Sequence, residues 1–411
     1  MRDRALLAAV LSLSLLATGC WDRREIETRG FVLAIGIDLA TPEEVQTAKG
    51  IALEASPQAM EYAPTPNETC LYRMTIQYPI LKRAKAPGPA GGGGGSSSEA
   101  AFWNLSGVGS SLFGIDRDFA TRTTIPPFYE HLQVVLINAE AAKKGLNLFM
   151  DFFFRDPELR RRTPVMLCEQ SAQSILAIKP QVEDFTAMYL GRLPRNVGLT
   201  ARIVHKTELG TVSEYLHNGQ DFLLPRIVTS GREIKAAGAG IFREDKLVGW
   251  LNEDEMEAVK WLGGFAVGDW ITVSCPDHPP GPITVELNKG DTKVKVISDG
   301  DKPRFEFAVE MSGNIVEDLC EHDDKLWDPA FLRRVEAQVA KTMEAKMDHA
   351  LEKLQKELQS DMLHLGSDVE RQDPKLWNQI KSSWREIYPT VETKPKVRAT
   401  IRLVGLTRRS P

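Results

Sequence analysis

The sequence predicts an α+β protein of several domains, a mixed α/β body followed by a C-terminal antiparallel sheet packed against a long amphipathic helix. Three observations carry this. Strand and helix signals alternate between 130 and 178, the order of a mixed α/β layer. Four segments of period-two hydrophobicity lie between 270 and 311, and one apolar stripe at helical spacing runs from 332 to 362. The chain has 411 residues, too many for one core at roughly 150 residues per domain. Hydrophobic residues at 42% and charged residues at 26% are globular values that exclude wholesale disorder and fibrous repeats. The net charge of -5 comes from 51 basic and 56 acidic residues with no basic block, which excludes an electrostatic grip on nucleic acid.

The N-terminus reads as an export signal. Arg2 and Arg4 precede an apolar stretch from Ala5 to Leu16, and Ala17-Thr18-Gly19-Cys20 follows. Twelve helical residues span only about 18 Å, too short to cross a bilayer. Small residues immediately before a cysteine resemble a bacterial lipobox, so residues 1–19 are expected to be a signal peptide and Cys20 the site of diacylglyceryl attachment. Ala17 stands where lipoboxes usually carry Leu. Loss of residues 1–19 removes Arg2, Arg4 and Asp3 and takes the charge from -5 to -6. An acidic body does not adhere to anionic lipid, so the lipid alone is expected to hold it. The remaining cysteines, 70, 168, 275 and 320, are too widely spaced for a small disulfide scaffold and are expected to be mostly free, buried thiols. Cys275/His278 with Cys320/His322 offers zinc two thiolates and two imidazoles, but the Cys-x-His spacing is tight for a tetrahedral site.

The elements follow in order. Phe31 to Leu39 and Tyr72 to Ile80 read as paired strands. Residues 86–98 collapse to Gly, Pro, Ala and Ser, a flexible loop with nothing to bury. A strand over 130–138, a helix over 139–148, a charged connection over 155–162, a strand over 163–168 and a helix over 171–178 come next, then a helix near 210–217. Residues 238–251 form a hairpin. Asn252 with Glu255 opens a helix by a capping-box arrangement that ends at Gly263-Gly264. Strands are expected at 270–275, 283–287, 293–297 and 305–311. Asp328-Pro329 starts the long helix, whose stripe is Leu332, Val335, Val339, Met343, Met347, Leu351, Leu354, Leu358 and Met362, about 50 Å long. A methionine-lined partner groove is the alternative use of that stripe; covering the adjacent sheet is the preferred one. A helix over 373–388 and a strand through Val397, Ala399, Ile401 and Leu403 close the chain. The expected domains are 20–85 with 99–200 as an N-terminal mixed α/β unit around the 86–98 loop, 201–234 as a middle segment, and 235–405 as the C-terminal α+β unit.

Nucleophile-elbow, zinc-protease, dinucleotide and EF-hand motifs are absent, so no cofactor, metal or catalysis is expected. His349 and His364 fall on the long helix, where solvent exposure is expected. Asp22, Glu25, Glu27 and Asp38 read as a solvated tether.

Specific residues resemble a family. Cys20-Trp21-Asp22 with Glu25, and Gly36-Ile37-Asp38, look like the mature N-terminus of the Ger(x)C family, the lipoprotein C subunits of spore germinant receptors. His131-Leu132-Gln133, Gly145-Leu146 and Arg155-Asp156-Pro157-Glu158 resemble its central segment. Asp245-Lys246-Leu247-Val248-Gly249-Trp250 and Glu255, then Gly313-Asn314-Ile315, resemble its C-terminal domain. The resemblance implies a mixed α/β fold of three domains and a lipid anchor on the outer face of the spore's inner membrane. It also implies a non-catalytic role in assembly or signalling beside two polytopic partners, subunits A and B. Lipid-anchored solute binding and envelope hydrolysis are the competing readings.

Overall fold

The computed structural model describes residues 28–47, 71–80, 100–205, 207–277, 281–298, 300, 302–320 and 328–403. Cys20, Trp21, Asp22, Glu25, the 86–98 loop, Cys70, His278 and His322 lie outside them. The order is β1 (Gly30–Phe31), β2 (Ala34–Leu39), β3 (Tyr72–Pro79), β4 (Phe102–Gly109), α1 (Leu112–Arg122), β5 (Pro127–Phe128), β6 (Val134–Asn138), α2 (Ala139–Lys144) and α3 (Asn147–Arg155). Then come β7 (Val165–Cys168), α4 (Ala172–Leu176), α5 (Thr186–Arg192), α6 (Leu209–Asn218), β8 (Phe222–Ser230), β9 (Glu233–Arg243), β10 (Lys246–Leu251) and α7 (Glu253–Leu262). The last part holds β11 (Val267–Ser274), β12 (Pro282–Ser298), β13 (Pro303–Asp318), α8 (Pro329–Glu352), α9 (Leu365–Gln372), α10 (Pro374–Ile380), α11 (Trp384–Ile387) and β14 (Thr393–Leu403).

One sheet has eight strands in the order β10-β9-β8-β7-β6-β2-β3-β4. Its centre, β8-β7-β6-β2, is parallel, and antiparallel strands flank it on both sides. Helices cover both faces, as a parallel centre requires. Val135 and Ile137 of β6 face one core while Val134 and Leu136 face the other, the period-two signature of a strand buried on both sides. The expected helix over 139–148 is two helices. Gly145, at φ +122, leaves Leu146 N free to donate to the Asp245 carbonyl at 2.8 Å, and a side chain there would strike Asp245.

The second sheet runs β11-β12-β13-β14. Its first three strands are antiparallel, and β14 joins β13 in parallel register. The segments 283–287 and 293–297 are one strand, β12, with bulges near Val285 and Lys289. Gly290, within β12, is a point of close approach: a Cβ there would sit 2.2 Å from the Trp261 ring and 2.5 Å from the Glu310 carbonyl. The hairpin 238–251 lies at the edge of the eight-stranded sheet, and its side chains serve two cores. Phe242 and Leu247 pack into the first unit, Ala239, Ile241 and Leu251 into the second.

Helix α8 lies across the second sheet with Val335, Val339, Met343, Met347 and Leu351 fully buried. Phe331, not Leu332, begins the buried stripe. The helix is shorter than expected. It passes into a π turn at Lys353–Glu357, and Asp361 then captures Leu365 N and Gly366 N at 2.8 and 2.9 Å, starting a new direction. His364 is therefore off the helix and half-buried, with its ring stacked 6.1 Å from Tyr215. The helix expected over 373–388 is divided by a 3-10 turn at Lys381–Ser383. Glu344 and Glu336 of α8 accept from Val397 N and Ile401 N of β14, both at 2.8 Å. Eight helical residues rise about 12 Å and four strand residues about 13 Å, so the two ladders match.

Among the described residues, two of the three later cysteines are paired. Cys275 and Cys320 form a disulfide between the end of β11 and the segment after β13, which corrects the expectation of mostly free thiols and removes both thiolates from any zinc site. Cys168 is free and buried, its thiol pushed well above its usual range by desolvation.

Candidate functional site

The motif residues among the described positions divide between internal anchors and surface. Asp38 is one of the anchors, not a solvated tether. It ends β2 at 2% exposure, where its carboxylate accepts from Ala172 N at 2.7 Å, Gln173 N at 3.1 Å and Ser171 Oγ at 3.1 Å. It thus satisfies the open amides of α4 from outside that helix. Arg73 balances the charge at 3.0 Å and also pairs with Glu44. Two residues earlier, Gly36 lets the helix approach, since a Cβ there would lie 3.0 Å from Leu176 and 3.1 Å from Ala172. This network fills the carboxyl ends of β2, β6 and β7, the region where open α/β sheets generally take ligands.

The second group forms a socket for the long helix. The hairpin turns at Glu244 and Asp245, and Lys246 is exposed beyond the turn. Gly249 sits at a bulge where a Cβ would fall 2.5 Å from Leu358 Cδ2, so the missing side chain seats that leucine. Half-buried Trp250 lies 5.2 Å beneath the Arg226 guanidinium. Glu255 closes the capping box with Asn252, at 2.7 and 2.9 Å, and reaches across to α8, where Lys353 Nζ lies 2.8 Å and His349 Nε2 3.3 Å away. Burial pushes its carboxyl up, but Lys353, the Asn252 amide and His349 together hold it below the usual range.

A buried charge cluster lies between α7 and α8. Glu257 meets Lys346 at 2.7 Å and Arg202 at 3.7 Å, and Arg202 also meets Asp269 at 3.5 Å. Burial and the neighbouring Asp269 push Glu257 up to about 7. Lys260, buried and donating to the Ile203 carbonyl at 3.0 Å, is pushed down to about 8 by desolvation. Sequence reading missed this cluster, since its members come from four segments with no shared spacing.

Arg155 and Asp156 reach a surface cleft. Arg155 is exposed and pairs with Asp151 at 2.6 Å rather than with its neighbour, while Asp156 Oδ1 accepts from Glu158 N at 2.8 Å and turns the chain out of α3. The cleft, about 480 Å³, runs between α1 and α3. Phe113 and Leu148 line it with 52% and 58% of their surface exposed, and Arg117 lies 4.6 Å over the Phe113 ring. Apolar side chains flanked by charges suit protein recognition better than catalysis. Among the described residues, no three His, Cys, Asp or Glu side chains are grouped to hold a metal, and no helix is long and apolar enough to cross a membrane.

Fold and site together define an α+β protein built on two large sheets, whose described motif residues serve mainly to lock its parts together. A solved structure of this class is titled "Crystal Structure of the GerBC protein". It matches with a TM-score of 0.56 at 24% identity, over 82% of this chain and 95% of that one. Residues 22–229 match the family described as spore germination protein N-terminal domain, and residues 237–405 that described as spore germination B3/GerAC like, C-terminal. The chain belongs to this family, the Ger(x)C spore germination proteins. Relatives in Bacillus subtilis (strain 168) include spore germination protein YndF, 27% identical over 98% of this chain and 97% of its own. Spore germination protein B3 is 24% identical over 96% of both.

Proposed function

We propose that this chain acts in spore germination as a lipid-anchored, non-catalytic subunit of a germinant receptor. Cys20 carries a diacylglyceryl group on the outer face of the spore's inner membrane, and the body engages the polytopic subunits A and B in assembly or signalling. The observation that supports this reading best is the α1–α3 cleft, where the motif residues Arg155 and Asp156 lie beside exposed Phe113 and Leu148. The motif carboxylates Asp38 and Glu255 are meanwhile held in closed hydrogen-bond networks. Co-purification with the candidate membrane subunits tests it. Phe113→Asp with Leu148→Asp is expected to cut recovery of those subunits at least tenfold while leaving the melting temperature unchanged; unaltered recovery rejects the cleft as the contact. For the anchor, Cys20→Ser is expected to abolish incorporation of labelled fatty acid. Tight calorimetric binding of a nutrient by the chain alone would replace this reading with solute capture.

A further inference from the structure

A second cleft, about 510 Å³, opens at the amino ends of the central parallel strands. Its lining brings together three arginines from separate places: Arg160 and Arg162 before β7, and Arg195 from the 3-10 turn Leu193–Gly198 that follows α5. Their neighbours are committed elsewhere, Arg161 to the Gly210 carbonyl at 3.2 Å and Arg192 to Glu183. Among the described residues, Arg160, Arg162 and Arg195 meet no carboxylate. Glu130 is the one acid in the lining, so the arginines outweigh it by a charge of +2.

The chain enters the fold at this cleft. The Phe31 ring lies 4.9 Å from that of His131, Arg29 lies 4.1 Å over Phe128, and Gln133 N donates to the Leu33 carbonyl at 2.8 Å. Eight Cα-to-Cα steps separate Cys20 from Thr28, at most about 28 Å of extended chain. A membrane holding Cys20 therefore stays within that reach of Thr28, three residues before Phe31, which packs on the cleft residue His131. At physiological salt, fields fade over about 8 Å, so the charge of the near face decides the contact, not the net charge of the whole body.

We propose that this cleft binds the phosphate of an anionic phospholipid headgroup and seats the body on the membrane by this face. The proposal rests on the reading of Cys20 as the anchor, and the test separates the two. The acylated full chain and its Cys20→Ser form are each mixed with vesicles of phosphatidylcholine alone and of phosphatidylcholine with phosphatidylglycerol. Flotation and hydrogen exchange across 130–133, 160–164 and 193–196 are the readouts. The Cys20→Ser chain is expected to prefer the anionic vesicles, and each of Arg160→Ala, Arg162→Ala and Arg195→Ala to weaken that preference about fivefold. Lysine at all three positions is expected to keep it, and Glu130→Gln to strengthen it. Equal binding to both vesicles, or a triple alanine variant that retains the preference, would overturn the proposal. So would inorganic phosphate alone giving the same protection, which assigns the cleft to a free anion. An acylated chain that leaves neutral vesicles, with the anionic preference intact, overturns the anchor and supports the cleft.

Discussion

Asp38 shows how a single side chain decides a local architecture. Its two oxygens hold two backbone amides and a hydroxyl of a segment more than 130 residues away, with Arg73 as counter-charge. Asp38→Asn leaves Arg73 short of its partner inside the fold, and breaking a buried pair in this way costs about 3 kcal/mol. Urea unfolding should show a loss of that order, and a change under about 0.5 kcal/mol would refute the pinning role. Gly249 makes the complementary case of an absent side chain. Gly249→Ala is expected to cost about 1–3 kcal/mol through its clash with Leu358, and Leu358→Ala should absorb most of that penalty in a double-mutant cycle. The sequence marks both positions as motif residues without disclosing a role, because each partner lies far away in the chain. Asn252 with Glu255 and Asp328 with Pro329 were readable, since a cap and its helix are neighbours in sequence. The arginine cleft escaped for the same physical reason as Asp38, and dispersed charge read as no patch.

At the level of elements, the outcome turned on whether a signal was local. The apolar stripe of the long helix was legible from its spacing, and so was the alternation in β13 and β14. The helix end was not, because the Phe242 carbonyl, which accepts from Ser360 Oγ at 3.2 Å, and Asp221, which accepts from Asp361 N at 2.9 Å, arrive from outside the helix. The continuity of β12 was not legible either, since a glycine placed for a neighbouring ring, as Gly290 is for Trp261, looks identical in sequence to one placed for a turn. The packing of α7 on α8 has a pH signature. Glu257 is raised from 4.5 to about 7, so its folded form favours the proton more than its unfolded form does. That contribution is fully present below pH 4.5 and is lost as pH rises through 7, amounting to at most about 3 kcal/mol. Glu257→Gln should flatten the stability profile between pH 5 and 7.5 and raise stability at pH 8. An unchanged slope in urea titrations across that interval would count against it.

Over the whole molecule, the two large sheets are joined by the β9–β10 hairpin, by Asp269 of β11, which accepts from Ala201 N at 3.2 Å, and by an acidic junction. Asp221 Oδ1 accepts from Glu244 N at 3.0 Å, and its Oδ2 accepts from Asp361 N at 2.9 Å. Asp361 in turn holds the Trp384 indole at 2.9 Å, and burial pushes its carboxyl up to about 6. Asp361→Ala orphans three donors, so the terminal helices should melt ahead of the eight-stranded sheet. Scanning calorimetry is expected to resolve two transitions where the parent shows one; a single transition at lower temperature would mean that the remaining contacts suffice to couple the units. The glutamates that α8 lays along β14 bear on a different problem, association between copies. An edge strand with open amides is a template for the next chain. With Glu336 and Glu344 occupying Ile401 N and Val397 N, that edge offers two fewer donors to another strand, and neighbouring copies can crowd together without polymerising through it.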